Sequence, residues 1–287
     1  MTDQRVYPFE HTGKFMKKTD ATLAGKSFHL VFDNGDETVL SFLTGEILCI
    51  GNYGEAMRWE RYAALRADEN TYMVSYEQKN QPQRVCDTYV LDLAASLVTR
   101  VYARQRVIPG RDRMTVAEIS FGAIKKDGED LPSVRHGYTA ELVGKKVTWH
   151  YANGFINTHI YYDANYYRIQ VEQTPPPNPS MTSYEKELAE KDDAVWKNWF
   201  FDEPTRYIKI NDNLYLISFI EENLNKANPK KGGSNFLVLI NMKEGFDVCR
   251  SFTHTFNQIP EWGLSKAYGD VVPDEEWETR PKSPYRV

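Results

Sequence analysis

The chain is poor in several things that would each assign a function. It has three cysteines, Cys49, Cys86 and Cys249, none in a C-x-x-C pair. An odd, widely spaced set does not build a disulfide framework and suits a reducing cytoplasm. No apolar run reaches the roughly 18 residues that a membrane-spanning helix needs, and no apolar stretch follows the first residues as in a secretory signal. Charge of one sign is not concentrated: the formal net charge is −5, and the densest basic run, Asn228-Pro-Lys-Lys-Gly-Gly, reads as a loop tip. That argues against nucleic acid as a partner. Gly-rich phosphate loops and Gly-x-Ser-x-Gly are absent, and Lys231-Gly-Gly-Ser lacks a strand-to-helix context. The six histidines (His11, His29, His136, His150, His159 and His254) form no His-x-His and no His-Glu-x-x-His. Only His150 and His159 are placed to meet across a hairpin, and two ligands make a weak site. The expectation is no metal and no cofactor.

What the chain does have is aromatic residues, 13% of its 287 positions, and a repeat. LAGKSFHLVFDNGD from Leu23 and LVGKKVTWHYANGF from Leu142 align without a gap, so Gly25-Lys26 matches Gly144-Lys145 and Asn34-Gly35 matches Asn153-Gly154. Short strand-type runs follow each. In the first copy they are Phe28 to Phe32, Thr38 to Leu43, Ile47 to Ile50, Thr71 to Tyr76, Thr88 to Leu93 and Leu97 to Tyr102. In the second they are Val147 to Tyr151, His159 to Tyr162, Tyr166 to Gln170, Arg206 to Ile210, Leu214 to Phe219, Asn235 to Asn241 and Asp247 to Phe252. Asn-Gly between alternating runs is a hairpin signal. Thr71-Tyr-Met-Val-Ser-Tyr-Glu77 also resembles Leu214-Tyr-Leu-Ile-Ser-Phe-Ile-Glu221. The expected fold class is all-β: two tandem antiparallel barrels of six to eight strands. The expected boundary lies in Lys125 to Pro132, giving domains 1–128 and 129–287. The second is expected to carry a Pro-rich loop and a helix near 174–199, with Ser183 as its N-cap.

The paired LAGK and LVGK strands, the run Met57-Arg-Trp-Glu-Arg-Tyr62 and Arg135-His-Gly-Tyr138 together resemble the MoaF family, which implies two lipocalin-like (calycin) barrels over roughly Asp20 to Phe256. Each copy also resembles phenolic acid decarboxylase, a small barrel that removes carbon dioxide from hydroxycinnamic acids without a cofactor. In that family tyrosines hold the carboxylate, and an arginine and a glutamate engage the phenol. Carried over by position, the resemblance implies roles for Tyr151, Glu221 and Arg58, with Trp149 in place of one tyrosine. Arg168 and Lys197 are candidates for the second copy's arginine. The first copy has Leu30, Phe32 and Gln78 at the polar positions and is expected to be a support.

Strand parity adds an independent argument. Trp149 and Tyr151 share one face and His150 the other. Inward aromatics would line a cavity suited to a flat ligand, and an interior Glu221 would be partly desolvated, which suits a carboxyl to acid or base work. The candidate catalytic residues are Glu221, Tyr151 and Arg58. The candidate substrate-binding residues are Trp149, Arg168, His136 and Tyr167, with His136 on a loop closing over the second barrel's mouth. The competing reading makes the aromatics core filling and Arg58, Glu60 and Arg61 a solvated ion-pair cluster. The expected activity is a cofactor-independent lyase on a small aromatic or phenolic molecule; a lipocalin-like binding protein is the alternative. No nucleic acid and no membrane are expected as partners, and a homodimer is admissible.

Overall fold

A computed structural model describes residues 20–52, 56–79, 81–106, 114–151, 154–173, 182–184, 186–187, 200–223, 234–254 and 260–275. Eight antiparallel strands close the first barrel: β1 (Ser27–Phe32), β2 (Glu37–Phe42), β3 (Ile47–Asn52), β4 (Arg58–Arg66), β5 (Thr71–Glu77), β6 (Val85–Asp92), β7 (Leu97–Arg106) and β8 (Met114–Lys125), which returns to β1. A two-residue strand, β9 (Gly137–Tyr138), then pairs with the second barrel. That barrel comprises β10 (Lys146–Tyr151), β11 (Ile156–Ile160), β12 (Tyr166–Gln173), β13 (Phe200–Lys209), β14 (Leu214–Ile220), β15 (Asn235–Asn241), β16 (Phe246–His254) and β17 (Pro260–Val271). It closes through β10–β17 and β12–β13. Closure pairs the barrel strands with one another all the way round, which is how small antiparallel sheets avoid edge-to-edge association. The chain is all-β, with one 3-10 turn at Ala21–Leu23 and short helical turns elsewhere in the described residues. The Pro-rich loop and helix expected near 174–199 lie mostly outside those residues; only 182–184 and 186–187 are described, around one turn in which Lys186 N donates to Thr182 O (2.9 Å).

The duplication is written in the hydrogen bonds. Gly25 N donates to Phe42 O (2.6 Å) and Gly144 N to Tyr161 O (2.7 Å); Lys26 N donates to Leu23 O and Lys145 N to Leu142 O, both 3.0 Å. Gly35 N bonds Phe32 O as Gly154 N bonds Tyr151 O, also at 3.0 Å. These four glycines have φ between +79° and +92°, a region other L residues enter at a cost. Leu23 and Leu142 are each fully buried, plugging corresponding ends of the two barrels.

Strands β5, β6, β14 and β15 are buried on both faces, which explains near-continuous apolar runs such as Leu214-Tyr-Leu-Ile-Ser-Phe219. Their inner faces fill the barrels. Their outer faces meet in a shared cluster containing Leu65, Met73 and Val90 of the first barrel with Leu216, Leu239 and Val248 of the second. Polar ties border it: Asn241 Nδ2 donates to Ala67 O (2.9 Å), Lys266 Nζ to Arg66 O (3.1 Å) and an Arg84 guanidinium nitrogen to Thr253 O (2.6 Å).

Candidate functional site

In the second barrel, register sets which side chains face in. Trp149 pairs with Asn157, Val147 with His159, Tyr167 with Glu203, Thr205 with Phe219 and Val238 with Cys249. Trp149 is therefore interior, as the alternation implied, and so is Tyr167; both are fully buried, and Glu221, continuing the Phe219 face, is buried as well. Tyr151 lies half-buried against the same cluster. Three other candidates stand elsewhere. Arg168 is on the outer wall, clamped to Asp202 by two bonds (2.5 and 3.0 Å) and lying over the Tyr162 ring, because it follows the inward Tyr167 by one residue. His136 does not close over the second barrel's mouth. It is buried on the outer wall of the first barrel, its Nδ1 2.8 Å from Thr99 Oγ1 and its Nε2 3.8 Å from Asp92. Arg58 belongs to the first barrel and is not brought together with Tyr151 and Glu221. Lys197 lies outside the described residues.

The second interior is acidic, and several of its buried polar atoms have no hydrogen-bond partner. Burial pushes the Asp247 carboxyl up to about 8, against the pull of the Ala267 N–H (3.0 Å) and of Lys266. Burial pushes His159 down to about 3, so its ring stays neutral, with Nδ1 3.3 Å from the Tyr161 hydroxyl. The Tyr151 phenol is held well above its ordinary range by burial and then by Asp247; that of Tyr167 by burial and then by Glu221 and Glu203. These couplings trace one path through the barrel interior: Glu221 and Glu203, Tyr167, Tyr151, Asp247. Buried atoms without a hydrogen-bond partner line it: Trp149 Nε1, Asn157 Oδ1, Tyr167 Oη, Asp247 Oδ2 and Ser251 Oγ. Trp149 Nε1 is within electrostatic reach of the Tyr161 hydroxyl, but no bond of normal geometry joins them. Among the described residues no arginine or lysine faces this interior; Lys209, at the plugged end, turns to Glu141 and Asp212.

The first barrel, expected to have lost its polar residues, carries a buried polar network of its own. Asp87, fully buried, receives Arg100 Nε at 2.9 Å and a second guanidinium nitrogen at 2.8 Å, plus the hydroxyls of Tyr76 (3.2 Å) and Tyr89 (3.1 Å). Arg58 stands beside Tyr76, its guanidinium raised by Tyr76 and Asp87 against the opposing effect of burial. Sequence reasoning missed Asp87, Tyr76, Tyr89 and Arg100, because parity carries little information in strands buried on both faces. It also missed two glutamates. Glu60 pairs opposite Leu48 as Glu203 pairs opposite Tyr167, and both are buried. Each accepts a loop amide, Glu60 from Lys79 N (3.1 Å) and Glu203 from Asn223 N (3.0 Å). By the same register Gln78 corresponds to Glu221, Arg58 to Phe201, Asp87 to Phe236 and Arg100 to Cys249. The legible signal was Arg58-Trp-Glu60 against Phe201-Asp-Glu203, visible only once the copies are aligned strand by strand.

Comparison with protein families finds a likeness for this barrel. Residues 9–106 match the MoaF N-terminal domain. The match runs through β7, seven of the eight strands of what is from here the MoaF-like barrel. No curated protein matches the chain, so the likeness to phenolic acid decarboxylase rests on the quoted motifs alone. Among the described residues no three His, Cys, Asp or Glu side chains are grouped to hold a metal ion, and no helix is long and apolar enough to cross a membrane. His150 and His159 point to opposite faces, the former outward, 3.4 Å from Asp270.

Proposed function

We propose that the second barrel binds a small phenolic or other aromatic compound and acts on it as a cofactor-independent lyase of the decarboxylase type. One observation carries the reading: the fully buried Asp247, whose carboxyl burial pushes up to about 8, shares a tyrosine-lined barrel interior with the buried Glu221 and Glu203. Paired acids in different environments are what acid–base chemistry needs. A carboxyl group at the Glu221 end takes the proton of a ligand phenol. A protonated acid, in the position of Asp247, delivers a proton to the side-chain carbon next to the leaving carboxylate. The resulting quinone methide loses carbon dioxide; the electrons of the broken carbon–carbon bond restore the ring, and the phenolate recovers its proton. Trp149, Tyr151 and Tyr167 position the ring. One proton is consumed overall, and no cofactor takes part.

The second reading is a binding protein without turnover. It is favoured by the barrel interior, into which, among the described residues, no cation faces to pair with a carboxylate substrate. Incubation with a panel of hydroxycinnamates separates the two. Release of carbon dioxide that is abolished in Glu221→Gln supports the lyase. Tryptophan quenching without product supports the binder, and neither signal refutes the site.

A further inference from the structure

On the outside of the second barrel, one edge of β13 is shared by two strands. β12 pairs with it over Phe200 to Pro204, and β9 pairs with it at Ile208 and Lys209. Between them Thr205 N donates to Asn165 O (2.7 Å), and Tyr207 O accepts Thr139 N (3.0 Å). The hand-over leaves a cleft of about 440 Å³, open along one side, whose walls include Tyr138, Ala140, Ala164, Asn165 and Arg206. The first barrel has the same two bonds: Tyr62 N donates to Glu46 O (3.0 Å), and Ala64 O accepts Asp20 N (2.7 Å). Asp20, Glu46 and Ala63 therefore hold the places of Thr139, Asn165 and Arg206. In the first barrel this corner is tight: a Cβ at Gly45 would stand 3.3 Å from the Ala21 Cβ. Its counterparts Ala164 and Ala140 are both exposed and line the cleft. Across the duplication, two acids have left this corner and one cation has entered it. Arg206 points outward between the buried Thr205 and Tyr207. One guanidinium nitrogen donates to Asn165 Oδ1 (3.1 Å) and Thr205 O (2.8 Å), and among the described residues no carboxylate pairs with it. The Tyr138 ring is 59% exposed and is braced edge-on by Phe121, 5.4 Å between centres.

We propose that this cleft is a second ligand site, outside the barrel interior, for a sugar acid: a monosaccharide carrying one carboxylate. The guanidinium edge of Arg206 takes the carboxylate, a geometry that arginine matches with two parallel bonds. Asn165, whose Nδ2 makes no bond among the described residues, donates to a ring hydroxyl. The C–H face of the sugar lies on the Tyr138 ring, an apolar body with a fixed orientation. A cleft open on one side does not strip the water from a wholly apolar ligand, and a sugar keeps its outer hydroxyls hydrated there. The neighbouring acids limit the charge. Glu141 is tied to Lys209 and Tyr215, and Asp163 accepts Asn165 N (2.8 Å). One cation beside two acids admits a monoanion and disfavours a dianion such as a sugar phosphate. The site draws on no residue of the proposed acid–base chemistry.

Saturation-transfer NMR titration of the full chain tests it with D-glucuronate, its neutral methyl ester and D-glucose 6-phosphate. The expected result is saturable binding of glucuronate, with transfer to its ring C–H protons, and binding of the ester and of the phosphate about tenfold weaker, as for loss of a charge-assisted bond. Arg206→Ala and Asn165→Glu make the second copy more like the first, at two exposed positions. Each should weaken glucuronate by about tenfold, and Arg206→Ala should leave the ester unchanged. Tyr138→Ala should remove the transfer to the ring protons. No saturable binding of glucuronate by the wild type, acid and ester binding alike, or unchanged affinity in Arg206→Ala overturns the proposal. Glucose 6-phosphate binding as tightly as glucuronate overturns the assignment to a monoanion. Should Arg206→Ala fail to fold, the wild-type comparison of acid and ester decides. Binding lost in Tyr167→Phe but kept in Arg206→Ala belongs to the barrel interior and sinks this site.

Discussion

Replacing Asp247 by asparagine should change how stability depends on pH, and the size and window of the change follow from two buried groups. In the fold Asp247 titrates near 8 instead of 3.8. Between those values the unfolded chain has released this proton and the native chain has kept it, so stability falls as pH rises. His159 acts in the opposite sense. It titrates near 3 in the fold and 6.5 when unfolded, so the unfolded chain binds its proton first and stability rises with pH up to 6.5. From pH 3.8 to 6.5 the two slopes oppose each other with equal size. Above 6.5 the histidine contribution is flat and Asp247 acts alone, and from pH 6.5 to 8 the loss amounts to roughly 2 kcal/mol.

Asparagine is the neutral isostere of the protonated acid. Its Oδ1 keeps the bond from Ala267 N, and it has no proton to lose. Urea denaturation at pH 6.5 and pH 8 is the assay. Wild type should lose about 2 kcal/mol between them and Asp247→Asn close to nothing. In Asp247→Asn the histidine slope is unmasked, so acid sensitivity below pH 6.5 should steepen. Parallel curves for the two proteins between pH 6.5 and 8 would mean that Asp247 is ionised in the fold, and the acid–base reading of the second barrel would go with it.

Other substitutions probe packing and coupling. Gly269→Ala places a Cβ in overlap with the Trp149 ring; a loss of about 1–3 kcal/mol and a red-shifted tryptophan emission are expected, and an unchanged melt would show that the ring is free to move. Tyr167→Phe removes an unpartnered buried hydroxyl, so the melting temperature should hold or rise while ligand binding or turnover falls; lower stability would mean that the hydroxyl has a structural partner. Arg84→Leu removes two bonds to Glu77, the tie to Thr253 O and the guanidinium stacked 4.5 Å from the Phe252 ring centre. A loss of about 2 kcal/mol should appear with earlier proteolysis between the barrels, and a silent variant would assign the interface to its apolar cluster alone.

The fold was legible because its signals are local. Gapless Gly-Lys and Asn-Gly pairs mark the same turns in both copies, and alternation correctly turned Trp149 inward. The site was only partly legible, for identifiable reasons. No residue of the second copy could be matched to Arg58 because the offset between copies drifts after the opening hairpins, with 174–199 inserted before β13. Asp87 and Arg100 lie in or beside strands with two buried faces, where the run of apolar residues conceals which face a charge takes. Glu60 looked like part of a solvated cluster because Arg58 and Arg61 flank it; the barrel wall separates Arg58 and Glu60 from Arg61. His136 depends on how the linker packs against Asp92 and Thr99, a long-range contact that no local pattern encodes.

The two barrels share a backbone plan and differ where the ladder does not reach, in the side chains that face in. An interior position can change without breaking a strand pairing, but charged positions cannot change singly. Arg100→Cys alone would leave Asp87 fully buried with only two tyrosine hydroxyls, an uncompensated charge that costs about 3–5 kcal/mol. Asp87→Asn alone leaves Arg100 able to turn toward Asp36 and water, since its side chain is partly exposed. The pair should therefore be strongly non-additive. With Asp87→Asn in place, Arg100→Cys should cost less than half of what it costs in wild type, giving a coupling energy of about 1.5 kcal/mol or more. The physical reason the second copy carries Phe236 and Cys249 at these positions is then that the ion pair can be given up only as a unit. Additive effects in the double-mutant cycle would show that Tyr76 and Tyr89 alone keep Asp87 stable, and the coupled divergence of the two interiors would need another cause.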